Sequence, residues 1–271
     1  MRAATGGIAR TMGSVAAFPP IGYPLLLCWQ RGWLPAPAGD VTVRLSDDRI
    51  LYCARADRTQ RTMSLGLYEP AETRLVASLL RPGDVFVDVG AHIGWFTTVG
   101  ARQVGASGAV IACEPYPPNT RALRKNLALN NAQNVRVVEQ ALGSHDGVLS
   151  LAMATDSGSV TALGWAEEAR FAVPMATLDH IAADLPEIAL LKVDVEGWEI
   201  RVLRGATETL SRTRNVVVEL NGPALTAAGS SGEEVTELLR GAGFTTFEPI
   251  GQIGLRRLVR SREVTNVLAR R

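Results

Sequence analysis

Five short apolar runs constrain what this chain can fold into: VFVDV (Val85–Val89), AVIACE (Ala109–Glu114), VRVVEQAL (Val135–Leu142), IALLKVDV (Ile188–Val195) and NVVVEL (Asn215–Leu220). They lack the strict apolar–polar alternation of a half-exposed strand. Runs of this kind are buried on both faces, as in a parallel sheet covered by helices on either side. Between them lie helical segments at Trp95–Gln103, Asn119–Asn130, Glu199–Leu210 and Glu233–Gly241. After the fifth run, TTFEPI (Thr245–Ile250) and LRRLVRSREVTNVLA (Leu255–Ala269) read as a closing antiparallel pair at one edge. The pattern predicts an α/β, doubly wound, mostly parallel, Rossmann-like sheet of seven strands.

Upstream, EPAETRLVASLLRPGD places Leu75, Val76, Leu79 and Leu80 at helical spacing and stops at Pro82-Gly83. VTVRLSDDRILYC (Val41–Cys53) alternates around a Ser-Asp-Asp turn and predicts a hairpin. The section Val148–Thr177 is β-rich with Gly and Ser and interrupts the alternation. The expected division is an arm and hairpin over 1–65 and one α/β domain over 66–271.

With 46% hydrophobic residues the chain can bury one large core, and a net charge of +1 gives no electrostatic reason to expect nucleic acid. Cys28, Cys53 and Cys113 show no metal-ligand spacing and read as reduced, mostly buried thiols of a cytoplasmic protein. The apolar segment Ser14–Trp29 is broken by Pro19, Pro20 and Pro24 and is shorter than the roughly 20 residues a spanning helix needs. It is expected to be a buried or partner-facing arm, and a route to a homo-oligomer.

Gly90 and Gly94 bracket the turn after the first run, where open α/β sheets bind ligands. Glu114 ends the second run, near the spacing at which an acid meets ribose hydroxyls. A dinucleotide turn needs glycine at the positions held by His92 and Trp95. The ligand expected is therefore a phosphate-free adenosine with an amino-acid tail, S-adenosyl-L-methionine. Asp88 can order the turn or receive the ammonium of that tail.

Gly66–Thr97, Ala112–Asn131, ALGSHDGVLSL, TLDHI, LLKVDVEGWEIRVLRGA and VVVEL, in that order, resemble the FkbM family of S-adenosylmethionine-dependent methyltransferases, which have the class I methyltransferase fold. The likeness spans about Gly66 to Leu220, and His92 departs from it where the family usually has asparagine. The resemblance implies tail contacts around Asp88, Gly90, Ala91 and Gly94. It implies ribose binding by Glu114, adenine packing by Pro115 or Tyr116, and an adenine edge lined by Ala141 and Leu142. It also implies that Asp194 stands beside the reacting methyl group.

Methylation of an alcohol needs alignment and removal of the hydroxyl proton. KVDVEG supplies Lys192 and Asp194 on one strand face and Glu196 on the loop beyond; Glu219 ends the neighbouring strand. Asp194 is expected to position or deprotonate the acceptor, with Glu196 and Glu219 in support. The alternative is a structural Lys192–Asp194 pair, with Glu196 capping the next helix. A divalent metal on Asp194, Glu219 and Asn221 is conceivable, and nothing in the spacing requires it. His92 is the one histidine within a motif and the histidine candidate for base or substrate contact; a turn-stabilising role is its alternative. Tyr68 and Glu69 either cover the cleft or close a helix, and Trp95 and Trp198 either wall the pocket or pack helices.

The expected activity is O-methylation of a hydroxyl on a small natural product or sugar. A nucleotide-dependent oxidoreductase using NAD and a non-catalytic adenosine-binding protein of the same fold are the competing readings.

Overall fold

A computed structural model describes residues 39–54, 57–153, 160–161, 170–251 and 264–271. The proline-rich arm, Cys28 and the first part of the final strand-like segment lie outside the described residues. No helix among the described residues is long and apolar enough to cross a membrane.

The chain opens with the expected hairpin of β1 (Asp40–Arg44) and β2 (Ile50–Ala54), then α1 (Arg58–Ser64) and α2 (Pro70–Leu79). From there β3 (Val85–Val89), α3 (Trp95–Val104), β4 (Ala109–Cys113), α4 (Pro117–Leu129) and β5 (Val135–Val138) alternate. Next come β6 (Ala141–Leu142), β7 (Gly147–Met153), β8 (Val160–Thr161), β9 (Arg170–Ala176) and α5 (Leu178–Ile181). The last part holds β10 (Ile188–Val193), α6 (Glu199–Arg204), α7 (Thr207–Ser211), β11 (Thr213–Asn221), α8 (Gly222–Ala227), α9 (Gly232–Gly241), β12 (Thr246–Ile250) and β13 (Val264–Arg270).

The main sheet has seven strands in the order β12-β13-β11-β10-β3-β4-β5. β13 runs antiparallel to β11 and β12, and the other neighbours are parallel. Every residue of β3 and β10 is buried, which is why their runs read as continuous apolar stretches. The two faces alternate. Val85, Val87 and Val89 join a core with Leu191, Ile200, Leu203 and Val235, while Phe86 faces the opposite core with Val76, Val99 and Leu190. That second core also takes in Val43, Leu51 and Cys53 of the hairpin.

The hairpin docks through side chains. Asn130 Oδ1 accepts from Ile50 N (2.9 Å) and its Nδ2 donates to Ile50 O (2.7 Å). Asn126 makes the same pair with Tyr52 N (2.7 Å) and O (3.2 Å). Alternate strand residues and residues one helical turn apart repeat at similar distances, about 6 to 7 Å and 5 to 6 Å. The two amides therefore occupy the edge of β2 as a third strand would.

Two elements depart from expectation. VRVVEQAL divides between sheets: β5 stays in the main sheet, while β6 joins a four-stranded sheet ordered β6-β9-β7-β8. The stretch Glu199–Leu210 is two helices because the chain crosses another segment at Gly205, where a Cβ would lie 2.0 Å from Gly143 O.

Candidate active site

The carboxyl ends of β3, β4 and β10 border a cleft of about 890 Å³, counted out to its open mouth. Gly90, where the turn after β3 begins, has φ +84°, and a Cβ there would sit 1.8 Å from Asp194 O. Only glycine allows β3 and β10 to meet this closely at the cleft floor.

One end is organised around Glu114, which is 5% exposed. Its carboxylate accepts from His92 N (2.8 Å), Tyr116 N (3.0 Å) and Asn119 Nδ2 (3.3 Å). Burial nevertheless pushes its pKa up to about 7, against these three donors. Pro115, Ala141, Leu142, Leu149 and Leu151 add an apolar wall, and Gln140 a polar one. Cys113 also borders the cleft, and burial raises its thiol to about 12, so it stays protonated.

The other end carries Tyr68, His92, Asp194, Glu196 and Trp198. Lys192, 3% exposed, binds Asp194 Oδ2 at 2.7 Å and rests over the Phe96 ring, 4.5 Å from its centroid. The neighbouring charges of Asp194, Asp88, Glu72 and Glu69 raise its pKa despite the opposing effect of burial, so it remains a cation. Glu219 lies within electrostatic reach. Burial, then the charges of Asp194, Glu196 and Glu69, lift its carboxyl well above the ordinary range. His92, at φ +52°, is held below its ordinary pKa chiefly by burial, against Asp57 and Asp194, and is therefore neutral at pH 7.

Of the residues expected at the site, Gly90, His92, Glu114, Pro115, Ala141, Leu142, Asp194 and Glu196 border the cleft. Asp88 does not. It is 1% exposed and accepts from Thr97 Oγ1 at 2.6 Å, so its side chain orders α3 behind the turn instead of facing a ligand. Ala91 packs with Leu123 and Leu127. Gly94 is the left-handed N-cap of α3, and Tyr116 lies against Phe171. Glu219 is not among the residues that border the cleft.

Glu196 lies on the loop as expected, in the left-handed conformation with φ +54°. The amides of that loop belong to Glu199, whose Oε1 accepts from Val195 N (3.0 Å) and Gly197 N (3.1 Å), so the capping alternative falls to Glu199. Asn221 Oδ1 accepts from Ala224 N as the cap of α8. Among the described residues no group of three or more His, Cys, Asp or Glu is arranged to hold a metal ion. Trp95 is a packing residue, its Nε1 bonded to Thr73 Oγ1, whereas Trp198 walls the cleft. Sequence reasoning missed Thr59, Asn119 and Gln140. The last two flank expected residues and were within reach of it; Thr59 comes from α1 and carried no signal.

The sequence model of the FkbM methyltransferase domain matches residues 88–246. The chain belongs to the FkbM methyltransferase family. The 31-O-demethyl-FK506 methyltransferase FkbM of Streptomyces tacrolimicus is 33% identical over 61% of this chain and 74% of its own length. Methyltransferase 1 of Beauveria bassiana is 31% identical over 51% of this chain and 66% of its own, slightly under two thirds. The hexuronic acid methyltransferase AglP of Haloferax volcanii is 28% identical over 64% and 68%. In fold, the chain is similar to the SAM-dependent O-methyltransferase of Thermotoga maritima, with a TM-score of 0.50, 16% identity, and coverage of 85% of this chain and 77% of that one. The cofactor of FkbM methyltransferases is S-adenosylmethionine. The cleft suits it, with a glycine-floored turn, a buried acid and an apolar wall joined in one space.

Proposed function

We propose that the chain methylates a hydroxyl on a small natural product or a sugar. The observation carrying this reading is the asymmetry of the cleft: a hydrogen-bonded acid and apolar wall at one end, a charged constellation at the other. Glu114 would hold the ribose hydroxyls, Gly90 would admit the methionyl tail, and Pro115, Ala141 and Leu142 would enclose the adenine. When bound, S-adenosylmethionine supplies an electrophilic methyl group on a sulfonium with a good leaving group.

The protein has then to align the acceptor oxygen and take its proton. Asp194 would do this, at the cleft floor and paired with Lys192. His92, neutral and bordering the same end, is the second group able to accept a proton. Asp194 and Glu196 together give this end of the cleft its acidic charge. The same charge opposes an anionic acceptor. A carboxylate would approach Asp194 and Glu196 as a like charge, whereas a neutral hydroxyl is drawn to them as a hydrogen-bond donor. One relative bears a name that points the same way, to an O-methyl position of FK506; another is named for a sugar acid, without naming the oxygen it methylates.

The test is incubation with trideuteromethyl-labelled S-adenosylmethionine and a panel of macrolide alcohols, methyl glycosides and uronic acids, read by mass spectrometry. Ether-linked label is the expected product. Label found only as a carboxyl ester would overturn the reading.

A further inference from the structure

The hairpin lies outside the residues matched by the family and contributes nothing to the cleft lining, yet its hydrogen bonds lead to the cleft floor. The two asparagines that dock it are not equivalent. Asn130 uses its remaining donor capacity on Asn126 O, within its own helix. Asn126, fully buried, also donates from Nδ2 to Ile93 O at 2.8 Å. Ile93 sits inside the turn between Gly90 and Gly94, and a buried carbonyl there needs a donor. The inner side of that turn is tied to β4, through Gly90 N and Ala91 N to Cys113 O at 3.0 and 3.1 Å. Asn126 ties the outer side to the hairpin. Arg49 of the same hairpin adds a second strut, donating to Trp95 O (2.8 Å) and Thr98 Oγ1 (3.0 Å) at the start of α3.

We propose that Asn126 is a positioning residue for the cofactor turn, and that the hairpin serves as the buttress through which it acts. One carboxamide joins β2, α4 and the turn, so the backbone that faces the cofactor is set by a segment remote from it. The proposal rests on the reading that this turn meets S-adenosylmethionine, and its experiment separates the two.

Asn126→Ala and Asn130→Ala each delete two hydrogen bonds to the hairpin, and only the first deletes the link to Ile93. Hydrogen–deuterium exchange of the ligand-free full chain is read at peptides covering 50–54 and 90–98, and S-adenosylhomocysteine is titrated by calorimetry. Both variants are expected to speed exchange at 50–54. At 90–98 only Asn126→Ala does so, by about tenfold, and only it weakens S-adenosylhomocysteine by about three- to tenfold. Asn126→Ser, polar but too short to span the gap, behaves alike and serves if the alanine variant fails to fold. Unchanged exchange at 90–98 in the Asn126 variants, or equal loosening there by Asn130→Ala, overturns the proposal. Absence of S-adenosylhomocysteine binding by the unaltered protein overturns the cofactor reading instead, and the exchange data still decide the role of Asn126.

Discussion

At the Glu114 end of the cleft three donors meet one carboxylate; at the Asp194 end the ammonium of Lys192 sits among Asp194, Asp88, Glu72 and Glu69. The first end is preorganised by hydrogen bonds from the turn, from Tyr116 and from α4, all within the segment the family shares. The second is an electrostatic balance in which one buried cation offsets several acids, and Tyr68 and Thr59 wall it from outside that segment. A cofactor shared across the family fits the first, which lies within the matched segment. A variable acceptor fits the second, where burial and then the charges of Asp194, Glu196 and Glu69 leave Glu219 with a strongly raised pKa.

The largest expected effect falls on the charged end. Lys192→Met removes the ammonium and leaves Asp88 and Asp194 without it, which should cost about 3–5 kcal/mol of stability in urea unfolding. A loss below about 1 kcal/mol, the worth of an exposed pair, would show that the end is solvated rather than balanced. Next is the contact between the two ends. Gly90→Ala forces a Cβ into Asp194 O at a positive φ and should destabilise by about 3 kcal/mol, lowering the thermal midpoint. A variant of unchanged midpoint would mean that β3 and β10 part easily there.

A smaller effect separates the ends by pH. Glu114 has its pKa raised from the ordinary 4.5 to about 7. Across that window the fold keeps a proton that the unfolded chain releases, so this group's contribution to stability declines as pH rises from about 4.5 to about 7. Ligand binding has the opposite slope, because ribose hydroxyls donate to the carboxylate. S-adenosylhomocysteine affinity should rise severalfold through pH 7, and Glu114→Gln should flatten that rise. A slope that survives in Glu114→Gln would assign the titration to another group.

The sheet and the Glu114 end were legible in the sequence because both rest on local patterns: doubly buried strands leave continuous apolar runs, and a turn followed at fixed distance by an acid leaves a spacing. What was illegible depends on distant partners. VRVVEQAL reads as one strand-like run, and that pattern does not say that its last two residues belong to another sheet. Asp88 has the spacing of a ligand contact, and only the placement of Thr97 and Lys192 turns it inward. Asn126 and Asn130 carry no local sign of their role, since the strand edge they complete is 74 and 80 positions away. Thr59 reaches the cleft through the packing of α1 and left no trace in its own segment.

Calorimetric titration of S-adenosylhomocysteine into the unaltered protein, Glu114→Ala and Asp194→Asn tests the division of the cleft most directly. Loss of the charge-assisted hydrogen bonds in Glu114→Ala should weaken binding by about 1.5–3 kcal/mol, more than tenfold, while Asp194→Asn should weaken it by no more than about threefold. Equal weakening by the two substitutions, or none in Glu114→Ala, would contradict the assignment of cofactor binding to one end and proton removal to the other.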